Sequence, residues 1–410
     1  MSTPARGAKW KNFAAKPGKS VTAHAYAFCV CMGEGRAVKR IICILLFLLF
    51  LPMGAGEGAA AALSVAAKGA VLIDAQSGRV LFGQNENERF PMASTTKIMT
   101  ALLALENCAL DEEVTASENA SGVPGTSIYL GVGETLTMEE MLYGLLLRSG
   151  NDAAVAIAEH VSGGAEAFAA RMNARAAELG ADAHFVNPHG LDAEGHEASA
   201  LALARIFRQA MQSGDFRRIT GTQKTTIPWV GNDFSRVLVS KNRLLTTYAG
   251  ATGGKTGYTS DAGRCLVFSA EREGMELIGV VLSCPNWFEE AERMLDWGFE
   301  NYHPETPLSA GELACEAAVE GGMADAVTAV AEDDLAAAVG TGETWRVEYD
   351  FPGGVRAPIA KGEIIGTATL YIEGTPAAQT ALLAGEDVES RGLASALKRL
   401  FTRWTLLFAT

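Results

Sequence analysis

The sequence predicts an α+β protein: helices packed on an antiparallel sheet, then a small all-β region, then a terminal amphipathic helix. Three observations predict it. Apolar runs follow the order hairpin, helices, strands, helix between residues 70 and 302. At Pro304-Glu305-Thr306-Pro307 the composition turns rich in Ala, Gly, Val, Glu and Asp, with strand-like runs at 345–349 and 365–372. In the last twenty residues Leu393, Leu397, Leu400, Phe401, Trp404, Leu407 and Phe408 recur at helical spacing.

Taken in order, 70–74 and 80–82 flank Gln76-Ser77-Gly78 and read as a hairpin. A helix begins at Ser94 and runs to about 106, because Ile98, Leu102 and Leu105 repeat at three and four. Helical patterns then dominate 137–212, for example 138–147 and 153–161. Runs at 227–230, 237–240, 265–269 and 276–283 are strand-like. The last two, joined by the charged turn Glu271-Arg272-Glu273-Gly274, should be antiparallel neighbours. An amphipathic helix at 288–302 closes this part. The expected divisions are 1–62, 63–304, 305–390 and 391–410.

With 410 residues, 48% hydrophobic and 20% charged, the chain is globular. Its formal charge of −14 excludes a general nucleic-acid binder. Arg36, Lys39 and Arg40 precede an apolar run at 41–51 and then small residues, the pattern of a cleaved export signal. That run is too short to span a bilayer, and Pro52 ends it. Export to the outer face of the cytoplasmic membrane, or secretion, is expected. Lys398, Arg399 and Arg403 lie between the apolar positions of the C-terminal helix, which reads as an interfacial membrane anchor. Cys108, Cys265, Cys284 and Cys315 remain after the leader; their wide spacing suggests neither a zinc ribbon nor a disulfide framework.

Three short patches carry chemistry. In Ser94-Thr95-Thr96-Lys97 the hydroxyl and amine are three apart, on one helix face. A serine is a weak nucleophile without a base beside it. Lysine is a base only when neutral, a state favoured by burial and by a second cation, here Lys255. Ser395-Ala396-Leu397-Lys398 fits the same pattern but has no companions. Ser149-Gly150-Asn151 offers a turn that aims a proton-relaying hydroxyl and a carboxamide into a cleft. Gly253-Gly254-Lys255-Thr256-Gly257-Tyr258 precedes the two antiparallel strands. Its glycines let a substrate backbone lie close, and Lys255 and Thr256 can bind a carboxylate.

The set and order of these patches resemble the superfamily of class A β-lactamases and penicillin-binding proteins. The chain is most similar to low-molecular-weight penicillin-binding proteins that are serine-type D-Ala-D-Ala carboxypeptidases. The middle motif is Ser-Gly-Asn, 185–191 reads Phe-Val-Asn-Pro-His-Gly-Leu, and a β-rich segment and amphipathic tail follow. The resemblance implies a penicillin-binding/β-lactamase-like catalytic domain acting on peptidoglycan stem peptides and acylated by β-lactams. It implies Ser94 as nucleophile, Lys97 as base and Ser149 as proton relay. Asn151, Lys255, Thr256, Gly257 and Tyr258 would bind substrate, with the backbone N–H groups of Ser94 and Tyr258 as oxyanion hole. It calls for no cofactor and no metal. Many relatives carry a basic residue just before the helix near Phe288, where this chain reads Pro285-Asn286-Trp287.

Rival readings are weaker. His184, His189, Asp192 and His196 have ligand chemistry but no helical His-x-x-x-His spacing. Gly18-Lys19-Ser20 lacks the earlier glycine of a nucleotide loop. A class A β-lactamase would need a Glu-x-x-Leu-Asn stretch, and none is found. An endopeptidase would use the same residues. A non-catalytic wall-binding module would not need Ser94, Lys97, Ser149 and Lys255 intact.

Overall fold

The computed structural model describes residues 63–392. Its centre is a five-stranded antiparallel sheet. Strands β1 (Gly69–Asp74) and β2 (Val80–Gln84) come from the start of this segment. Strands β3 (Ala251–Thr259), β4 (Gly263–Arg272) and β5 (Met275–Leu282) come from its far end. The order is β3-β4-β5-β1-β2, so β3 is an edge.

Both sheet faces are buried, which explains runs that are apolar throughout rather than alternating. Val71, Ile73, Val267, Ile278 and Val280 face one core. Ala70, Leu72, Leu266, Phe268, Leu277 and Val281 face another. Helix α1 (Lys97–Asn107) follows a 3-10 turn at Ala93–Thr96. Its residues from Lys97 to Ala104 are all buried, as in a central core helix. Around it pack α2 (Met138–Leu147), α3 (Asn151–Ser162) and α5 (Ala200–Ala210), with α4 (Ala165–Glu178) beside α3. Helix α5 also covers one sheet face, and α6 (Trp287–Asn301) covers the other.

The hairpin, helix α2 and the β4–β5 pair lie where the sequence placed them. The runs expected at 227–230 and 237–240 form a hairpin of Lys224–Ile227 with Arg236–Val239, the first strand shifted three residues earlier and the second one. The lysine motif expected ahead of two strands is itself the third strand, β3.

A second, all-β part begins at Tyr302, directly after α6. Strand β6 (Tyr302–Leu308) pairs with β9 (Leu335–Gly340). A six-stranded sheet is built from β7 (Leu313–Glu320), β8 (Ala326–Ala331), β10 (Trp345–Asp350), β11 (Val355–Arg356), β12 (Ile364–Ile372) and β13 (Thr375–Ala384). Only the strand-like runs on β10 and β12 stood out in the sequence. The two parts are tied by Arg79, which donates to Ala338 O at 2.8 Å and pairs with Glu343, and by Asp74, which accepts from Ala338 N at 3.1 Å. The segments expected to form an export signal and, but for Arg391 and Gly392, a C-terminal helix lie outside the described residues; Arg391 and Gly392 are described and not helical.

Candidate active site

Ser94 lies in the 3-10 turn and Lys97 is the first residue of α1. The sequence expected a helix starting at Ser94; the tighter turn keeps the three-residue offset that brings the two groups together. Two hydroxyls fix this turn: Thr95 Oγ1 donates to Met92 O at 2.6 Å and Thr96 Oγ1 to Ala93 O at 2.7 Å.

Lys97 is fully buried, and its Nζ is 3.1 Å from Ser94 Oγ. The amine also donates to Asn151 Oδ1 at 2.7 Å and to the carbonyl of His189. A neutral amine has two hydrogens and one lone pair. Two pure acceptors take the hydrogens, and the lone pair is left for the one neighbour that can donate, the Ser94 hydroxyl. Burial, then the charges of Lys255 and Lys241, hold the Lys97 pKa well below the usual lysine value.

Asn151 opens α3. Its Nδ2 donates to Pro124 O at 2.7 Å while its Oδ1 receives Lys97. The sequence expected it to exchange hydrogen bonds with a substrate amide; both ends are engaged by the protein, leaving one Nδ2 hydrogen for that purpose. The turn before it also differs from expectation. Ser149, not the glycine, adopts the left-handed conformation, at φ 63°, a strained choice for a serine. Gly150 is required for space: a Cβ there would sit 2.7 Å from Asp152 Oδ1.

Lys255 projects from β3, 2% exposed, with Nζ 3.0 Å from Ser149 Oγ and 2.7 Å from Thr256 O. Burial and the nearby Lys241 push its pKa down to about 7. Gly257 brings β3 against the nucleophile turn, since a Cβ on it would lie 3.0 Å from Ser94 N. Thr256 is nearly buried, and the Tyr258 side chain is exposed. The edge of β3 is steadied by Thr220 Oγ1, donating to Gly254 O at 3.1 Å, and by Asn242 Nδ2, donating to Gly253 O at 3.1 Å.

The structure thus joins Ser94, Lys97 and Asn151 into one contact group, and Ser149, Lys255 and Thr256 into a second. Gly257 links them. Several contributors were missed in the sequence. The His189 carbonyl comes from the 185–191 stretch. Gly190, at φ 86°, would place a Cβ 2.0 Å from Ala93 O, so only glycine lets this loop reach the nucleophile turn. Buried Asp152 accepts from Ile128 N at 3.1 Å, Leu130 N at 3.0 Å and Ser127 Oγ at 2.5 Å, fixing the loop beside Asn151. An acidic residue in the first turn of α3 was its only sequence signal. Lys241 supplies a third cation.

The four residues weighed as metal ligands each have protein partners. His196 bridges Val186 N at 3.0 Å and Thr96 Oγ1 at 2.8 Å. His189 Nδ1 accepts from Leu191 N at 3.2 Å, His184 Nδ1 lies 2.8 Å from Gly195 O, and Asp192 accepts from Thr259 Oγ1 at 2.6 Å. Among the described residues, the one ligand-like group is elsewhere: Cys108, Glu112 and His160 lie with their donor atoms within 4.8 Å of one another.

A serine beside a buried, desolvated lysine, on a helix set against an antiparallel sheet edge, defines the class of active-serine penicillin-binding folds. Comparison with known proteins gives the family. Residues 56–286 match the D-alanyl-D-alanine carboxypeptidase family (Peptidase S11), and residues 302–390 match the C-terminal domain of penicillin-binding protein 5. The chain is 35% identical to D-alanyl-D-alanine carboxypeptidase DacF of Bacillus subtilis over 83% of its own length and 90% of that protein. It is 30% identical to DacC of Escherichia coli over 84% and 90%. Penicillin-binding protein 5 of Haemophilus influenzae superposes with a TM-score of 0.69 at 30% identity, covering 80% of this chain and 99% of that structure. The chain belongs to the D-alanyl-D-alanine carboxypeptidase family.

Proposed function

We propose that this protein is a serine-type D-alanyl-D-alanine carboxypeptidase that trims peptidoglycan stem peptides. One observation carries the reading: the buried Lys97 amine, held by Asn151 Oδ1 and the His189 carbonyl, lies 3.1 Å from Ser94 Oγ. In the reaction, Ser94 Oγ attacks the carbonyl between the two terminal D-alanines as Lys97 takes its proton. The N–H groups of Ser94 and Tyr258 receive the oxyanion. Ser149, hydrogen-bonded to Lys255, passes a proton to the departing amine, and D-alanine leaves. Water then hydrolyses the ester and restores Ser94. A β-lactam forms the same ester, but its leaving group stays tethered and deacylation is slow. In this scheme the nucleophile, base and proton relay are side chains of the protein, and water supplies the hydrolytic step.

The sequence pattern at 1–62 supports export, and the basic, apolar pattern at 391–410 supports anchoring on the outer face of the cytoplasmic membrane. Among the described residues no helix is long and apolar enough to cross a membrane.

The test compares D-alanine release from a pentapeptide ending in D-Ala-D-Ala with steady-state turnover of a β-lactam. Fast release with a long-lived penicilloyl enzyme is expected. Rapid β-lactam turnover without D-alanine release would make the protein a β-lactamase instead.

A further inference from the structure

We infer that Arg264 reads the free carboxylate of the leaving residue, placing on strand β4 the positive charge that Pro285-Asn286-Trp287 lacks. The inference rests on the carboxypeptidase reading and assigns a specificity residue within it.

Sheet register puts Arg264 beside the site. Arg264 lies directly opposite Tyr258, and Leu266 opposite Thr256. Directly paired residues share a sheet face, and diagonal neighbours on that face lie about 7–8 Å apart or less, within reach of an arginine. Leu266 faces the α6 side of the sheet, so Thr256, Tyr258 and Arg264 all stand on that side, while Lys255 turns the other way to Ser149. A peptide along the free edge of β3, with its carbonyl at the Ser94 and Tyr258 N–H groups, sets its terminal carboxylate along the 256–258 stretch.

The guanidinium is held in place and left with donors to spare. Its Nη1 donates to Pro285 O at 2.6 Å, and its carbon lies 6.0 Å from the centre of the Trp287 ring. It lines an open depression with Tyr258, Gly263, Ser283 and Pro285. In a chain of net charge −14, Arg264 is paired with no carboxylate among the described residues. The Thr256 hydroxyl likewise has no hydrogen-bond partner among them. A preset fork with free N–H groups beside an unused hydroxyl is a carboxylate receptor, and arginine suits it because the fork matches two oxygens at once.

The test measures acylation of Ser94 by benzylpenicillin and by its methyl ester in the same preparation of full-length protein. The ratio of the two rates does not depend on how much of a variant is folded. The wild type should prefer the free acid. Arg264→Ala should cut that preference at least fivefold, the loss falling on the free acid, and Arg264→Lys should restore part of it. A smaller change in Arg264→Ala overturns the assignment while leaving the carboxypeptidase reading standing. Failure of the wild type to be acylated at Ser94 by either compound overturns both.

Discussion

Asn151 Oδ1 accepts a hydrogen from Lys97 Nζ at 2.7 Å, and this bond decides which way the buried amine faces. In the neutral amine that hydrogen and the one given to His189 O are both committed, which leaves the lone pair for the Ser94 hydroxyl 3.1 Å away. A carboxamide does this without charge. A carboxylate in its place would hold the ammonium form and raise the Lys97 pKa, which removes the proton acceptor that the proposed mechanism needs.

Asn151→Asp should therefore move the acid limb of the acylation rate to higher pH. At a fixed pH below the new limb, the rate drops about tenfold for every pH unit by which the limb moves. A pH profile of penicillin acylation measures it. An unmoved limb would mean that Lys97 does not titrate in this step.

Lys97→Ala should slow acylation by about 10²- to 10⁴-fold, the usual worth of a positioned general base, with far less effect on KM for the peptide. Stopped-flow acylation and steady-state D-alanine release measure the two separately. A drop confined to KM would assign Lys97 to substrate binding.

Gly190→Ala should cost about 3 kcal/mol or more, because the new methyl group meets the Ala93 carbonyl and the backbone is left-handed. Moving this loop also withdraws the His189 carbonyl from Lys97, so acylation should fall with stability. Urea unfolding and acylation on the same sample check both. Full stability would show that the loop shifts freely.

His196 makes the fold sensitive to acid. Val186 N–H donates to Nδ1, so the neutral ring carries its hydrogen on Nε2, facing Thr96. A second proton would break the bond to Val186, and burial adds to the cost. The pKa is pushed down, chiefly by burial, to about 4 from 6.5. A depressed histidine keeps its full contribution above pH 6.5 and loses it as pH falls to about 4, when the unfolded chain protonates first. The loss amounts to about 3 kcal/mol. His196→Gln should lose about that much less between pH 7 and pH 4 than the wild type in urea titrations. Equal losses would remove His196 as the cause.

Much of this was legible because it is local. The Ser94–Lys97 offset, the β1–β2 hairpin and helix α2 are set by spacings within one element. Thr137 and Glu140 even form the capping box that starts α2. What stayed hidden was non-local. The Lys255 motif reads as a glycine-rich turn until Val267 and Leu266 pair beside it. The carbonyl of His189 has no side-chain signature, yet it helps hold the Lys97 amine. Asp152 acts through burial that depends on the whole helical layer closing over it, and Lys241 acts through its charge, from a segment far from Lys97 in the sequence. In the C-terminal part, strands β7 and β8 are alanine-rich, and their cross-strand partners supply the apolar surface that the sequence lacks locally.

The most direct test of the central claim is to treat the full-length protein with a penicillin, digest it and locate the adduct by mass spectrometry. The account predicts one penicilloyl group on the peptide bearing Ser94, and none in Ser94→Ala. An adduct on another residue, or one that persists in Ser94→Ala, would contradict it.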